Sequence, residues 1–146
     1  MGARSIPSES GALINHNFTG GSVAMKLTLS DSSLLKDKCY VAGEWVGGDA
    51  TIEVTTPADE SLVGRVPKLG AAETRRAIEA ARTAQKSWAK RTAKDRAGIL
   101  RKWFNLMMEN QDDLGMLMTA EQGKPLAEAK GEIAYGASFE IGRAHV

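Results

Sequence analysis

The sequence predicts an α/β chain in which short strands come first and several helices follow. Two observations predict it. β-forming segments broken by Gly and Pro crowd residues 39–67, and apolar side chains recur at three- and four-residue intervals from residue 71 onwards. The size fits one domain with a real core: a chain of 146 residues buries roughly 68–70% of the surface it exposes unfolded.

Residues 1–24 are rich in Ser, Gly, Asn and Thr, with Arg4 and Glu9 as their only charges. They are read as disordered and as a leader foreign to the fold, with Met25 the natural start. Ala12, Leu13 and Ile14 are too short a run for a secretory signal, and the acceptor pattern at Asn17 is therefore read as chance. Residues 39–46 read as one strand and Gly47, Gly48 and Asp49 as the turn after it. In residues 51–55 polar and apolar side chains alternate, placing Ile52 and Val54 on one face, until Pro57 ends the run. These two runs form the expected hairpin, and residues 62–66, stopped by Pro67 and Gly70, add a third strand.

Residues 71–88 read as a helix with a small-residue stripe of Ala77, Ala80, Ala81 and Ala84 ending in Trp88. Thr92 and Asp95 resemble a capping box opening the next helix. Its apolar positions Ile99, Trp103 and Met107, beside Leu100, Phe104 and Met108, make a double stripe that needs a partner. Asp112 and Asp113 suit the start of a third, shorter helix, and Gly123 its end. Pro125 suits the first turn of a fourth, in which Leu126, Ala129, Ile133 and Ala137 share a face.

The 19 basic and 18 acidic side chains leave a net charge of +1. That balance argues against a protein held to nucleic acid by a broad basic surface. Apolar runs such as residues 106–108 and 116–118 are far short of the ~18 residues that cross a bilayer, so no membrane partner is expected. The single cysteine, Cys39, makes no internal disulfide, which points to a reducing compartment. His16 and His145 lie near the ends, and no Cys/His spacing suits zinc or a nucleophilic pair. Glu121, Glu128 and Glu132 are the carboxylates to weigh for acid/base work, but Glu128 and Glu132 stand one turn apart beside Lys124 and Lys130, the pattern of a solvated face. Cys39 reads as a buried structural thiol, the methionines Met107, Met108, Met116 and Met118 as core filling, and Gly47 with Gly48 as no phosphate loop. No residue is assigned a catalytic, cofactor-binding or metal-ligating role.

The segment 121–133, Glu-Gln-Gly-Lys-Pro-Leu-Ala-Glu-Ala-Lys-Gly-Glu-Ile, resembles the E-x-G-K-P-x-x-E-A-x-x-E pattern of the NAD(P)-dependent aldehyde dehydrogenases, nearest to succinate-semialdehyde dehydrogenases. Residues 40–46 resemble that family's opening strand, residues 66–70 with 73–75 its first helix entry, and residues 92–96 with 103–108 its second. The resemblance spans roughly residues 25–139 in consistent order. Thr56-Pro57 departs from the family's usual Asn-Pro.

The resemblance implies a subunit of three parts: a Rossmann-like domain for NAD or NADP, a catalytic domain with a cysteine nucleophile, and a bridging domain that assembles dimers and tetramers. It implies a small-molecule aldehyde as substrate, a thiolate that attacks it, hydride transfer to the nicotinamide, and a glutamate that activates water. None of those residues matches a position here, Cys39 included. Residues 25–139 are thus expected to be the N-terminal portion of the cofactor and oligomerisation region, inactive alone, poorly folded or self-associating, and cytoplasmic. Residues 140–146, Glu-Ile-Gly-Arg-Ala-His-Val, back-translate as a common short-read sequencing adapter and are expected to be an artificial tail. Two alternatives stand beside this reading: a small non-catalytic binding or assembly module docking through the Trp103 face, and a dehydrogenase of another aldehyde.

Overall fold

Ala42 and Gly43 both take positive φ, 55° and 90°, and fold the stretch expected as one strand back on itself. A positive φ at both central residues gives a turn whose twist matches the flanking strands. In the computed structural model, which describes residues 27–142, residues 39–46 therefore split into β1 (Cys39–Val41) and β2 (Glu44–Val46), an antiparallel pair in which Tyr40 faces Trp45. Their rings sit 5.1 Å apart, and the Lys36 ammonium lies 5.1 Å from the Trp45 ring centre. The expected hairpin between residues 39–46 and 51–55 is corrected accordingly.

β3 (Thr51–Thr55) pairs instead with β4 (Leu62–Pro67), the expected third strand, in a separate antiparallel sheet whose register slips between Val54 and Thr55. The intervening loop closes on Thr56, whose N–H donates to the Ser61 carbonyl at 2.9 Å while its own carbonyl accepts from Glu60 at 2.9 Å. Thr56 is 1% exposed. Its hydroxyl accepts from the Ala58 amide at 3.5 Å, so it fills the turn-forming role an asparagine would take.

Four helices follow: α1 (Ala71–Trp88), α2 (Ala93–Glu109), α3 (Gln111–Gln122) and α4 (Leu126–Gly142). The first matches the expected bounds, and Thr92 caps α2 as expected, its hydroxyl accepting from the Asp95 amide at 3.1 Å. α2 and α3 meet at Asn110 with no loop between them. Gly123, at φ 71°, ends α3 in the left-handed conformation that glycine adopts without strain. α4 continues through residues 140–142, the start of the segment expected to be foreign.

α4 contacts both α2 and α3, and the buried apolar residues are Leu117 and Ala120 on α3 and Ala129 and Ala137 on α4. Small side chains let the two backbones approach: a Cβ on Gly115 would lie 2.9 Å from Lys130 Cγ. The double stripe of α2 is split by this packing. Leu100, Phe104, Met107 and Met108 are half-buried, whereas Ile99, Trp103 and Leu106 are exposed, Trp103 to 52%. α1 lies beside β1 and has no buried residue. The readings of residues 1–24, His16, Asn17 and His145 fall outside the described residues.

Candidate functional site

Asp113 is the one buried acidic side chain among the described residues, 4% exposed in the first turn of α3. It lies in register with Leu117 and Ala120 on a buried stripe of α3, on the side away from Gly115, where Lys130 of α4 approaches. Its two carboxyl oxygens accept the backbone N–H groups of Ser30 and Asp31 at 2.9 and 2.7 Å, joining parts of the chain 83 and 82 residues apart. Asp31 in turn caps a short 3-10 turn, Ser32–Leu34, accepting from the Ser33 amide at 2.9 Å. Hydrogen bonds from the Ser33 hydroxyl and amide hold the Asp31 carboxyl below the ordinary carboxylate range. Sequence reasoning placed Asp113 at a helix start but missed this capture. The available signal was an aspartate on an otherwise apolar stripe.

An open cleft of about 470 Å³ runs between Ser30 and Asp31 on one side and the α2–α3 junction, Met108 to Asp113, on the other. Its side chains are acidic or neutral, and it brings no nucleophile to a base. Cys39 opens β1 and is half-buried rather than buried, with no histidine among the described residues to act on it.

Glu121 and Glu128 are exposed, and Glu132 pairs with Lys124. Lys130 turns the other way, its ammonium 2.8 Å from Asp112, while its carbonyl accepts from the Gln111 side chain at 2.9 Å. The three candidate glutamates therefore serve a solvated face and a helix junction. Among the described residues no group of three His, Cys, Asp or Glu comes together that could hold a metal ion.

Negative charge is favoured at a helix start, and each of the four helices carries a carboxylate in its first turn: Glu73, Asp95, Asp112 with Asp113, and Glu128. At α1, the helix that follows a strand, Glu73 Oε2 accepts the Gly70 N–H at 3.0 Å. The backbone amides of Glu73 and Gly70 hold that carboxyl below its ordinary range.

What the chain is comes from its likeness to known proteins. The profile of the aldehyde dehydrogenase family matches residues 45–141. The chain belongs to the aldehyde dehydrogenase family. Glutarate-semialdehyde dehydrogenase of Pseudomonas aeruginosa is 61% identical over 115 residues, covering 77% of this chain and 24% of that protein. Succinate-semialdehyde dehydrogenase [NADP(+)] of Escherichia coli is 59% identical over 116 residues, again 77% and 24%. The crystal structure of an aldehyde dehydrogenase from Brucella melitensis superposes with a TM-score of 0.78 at 53% identity, covering 81% of this chain and 25% of that one. The chain thus spans about a quarter of the length of the curated relatives it matches.

In this aldehyde dehydrogenase segment the Gly-Lys-Pro motif is a helix junction. Gly123 turns left-handed against Pro57, whose Cγ would lie 2.8 Å from an added Cβ. Lys124 reaches across to Glu132, and Pro125 starts α4, its carbonyl accepting from Ala129 at 2.9 Å. The motif that carries the resemblance forms a helix junction in this structure.

Proposed function

We propose that this chain is the N-terminal portion of a semialdehyde dehydrogenase, an oxidoreductase that converts an ω-carboxylated aldehyde, succinate semialdehyde foremost, to the acid with NAD or NADP. The identity of 59–61% to enzymes named for succinate and glutarate semialdehyde carries this reading. 3-Sulfolactaldehyde dehydrogenase of Pseudomonas putida, 52% identical over 115 residues, widens the class to aldehydes bearing an anionic group. Residues 25–139 belong to the cofactor and oligomerisation region of a cytoplasmic homo-tetramer that binds neither nucleic acid nor membrane. Residues 1–24 are a leader and 140–146 a tail from outside the gene. The chain alone is catalytically silent, because among the described residues no thiol meets a base.

The test is to sequence the source locus past the codon for Phe139, express the whole reading frame, and follow reduced nicotinamide with succinate or glutarate semialdehyde. Turnover of either with NAD or NADP is the expected result. A genomic stop after Val146, or a full frame that turns over neither semialdehyde, overturns the reading, the former in favour of a small non-catalytic module.

A further inference from the structure

The stretch of residues 30–35 is folded on itself and tied to the rest of the molecule at one point. Its internal hydrogen bonds return to Asp31 and Ser32: the Ser33 amide donates to the Asp31 carboxyl at 2.9 Å, the Leu34 amide to the Asp31 carbonyl at 3.2 Å and the Leu35 amide to the Ser32 carbonyl at 3.3 Å. Among the described residues only two hydrogen bonds leave the stretch, from the Ser30 and Asp31 amides, and both end on the Asp113 carboxylate. No ion pair among the described residues adds to them. Within the stretch Leu34 alone is half-buried, and the other side chains are exposed. The next fixed point along the chain is Lys36, whose ammonium lies over the Trp45 ring.

We propose that residues 30–35 are a strap that opens and closes as one unit over the α2–α3 junction, with Asp113 as its catch. Asp31 makes it a unit. The residue whose N–H Asp113 holds also supplies the carboxyl and the carbonyl that close the 3-10 turn. A turn of three residues has too few bonds to persist alone, so release of the catch undoes it. Opening removes the wall of the cleft that Ser30 and Asp31 supply and brings water to the buried Asp113 carboxyl. Segments with few buried apolar contacts open in this way while the rest of a protein stays folded.

Hydrogen exchange of the full-length protein, resolved to single amides by fragmenting the peptide that spans residues 27–38, tests it. A strap that opens as one unit gives the Ser30, Asp31, Leu34 and Leu35 amides protection factors equal within about threefold and well below those of α4. Asp113→Asn, a change that touches neither leucine, is expected to speed all four by the same factor. Unequal protection, or acceleration confined to Ser30 and Asp31, overturns the inference in favour of a turn that stands by itself. Protection of all four equal to that of α4 overturns it as well, because the stretch then opens only with the helices. If Asp113→Asn does not fold, the four protection factors of the unsubstituted protein decide alone.

Discussion

Asp113 holds the start of the described chain in place through two backbone N–H groups, and an amide side chain cannot replace it. Asn offers one acceptor and turns an NH2 group toward the second amide. Leaving a buried or part-buried donor unpaired costs about 2 kcal/mol. Asp113→Asn in the full-length protein is therefore expected to speed hydrogen exchange of the Ser30 and Asp31 amides by about thirtyfold, with amides of β3 and β4 unchanged. Gly123 is constrained twice, by its left-handed backbone and by Pro57. Gly123→Ala costs about 1–2 kcal/mol from the backbone alone, and more once the methyl meets Pro57, a loss read as a lower urea midpoint. Ala42 shows what single residues conceal. A tight hairpin turn is announced by Asn-Gly or Asp-Gly, and Ala-Gly carries no such signal. The split of residues 39–46 was therefore illegible, whereas Gly123 before Lys-Pro was legible because glycine at that place has one structural use.

Helices were read more fully than strands because their signals are local. The bounds of α1, the Thr92 cap and the Gly123 stop all follow from propensity and capping within a few residues. Strand pairing depends on which segments meet, and two short β runs offer several partners of similar merit. The partition of α2 was hidden for the same reason: periodicity marks a wide apolar face but not which half an adjacent helix takes. The start of α1 is pH-sensitive. Because the folded-state carboxyl of Glu73 titrates below its unfolded value, its contribution is complete above the ordinary Glu range near pH ~4.3 and is lost as pH falls through the lower, folded value. Glu73→Gln keeps a hydrogen-bond acceptor for the Gly70 amide and removes the titration. Calorimetry between about pH 5 and 3 is expected to show a shallower fall in midpoint for the variant than for the parent.

For the whole molecule, the family was legible in sequence because several ordered segments agree over most of the chain, while the Asp113 capture was not, because it joins residues 82 and 83 positions apart that no local pattern links. The described residues bury few large side chains, and their fully buried core positions are alanines. Produced alone, the chain is expected to elute as a self-associated species by light scattering and to unfold without a sharp calorimetric transition. A cooperative monomer would contradict this.

Among the described residues the two hairpins do not join: β1 pairs with β2 and β3 with β4, so each two-stranded sheet keeps both of its outer edges open. Timing gives this a consequence during synthesis. If 115 residues are 24% of the finished protein, a ribosome adding 5–20 residues per second takes roughly 20–70 s to make the rest. For that interval the described segment carries open strand edges and an exposed Trp103, surface that a chaperone of emerging polypeptides can shield.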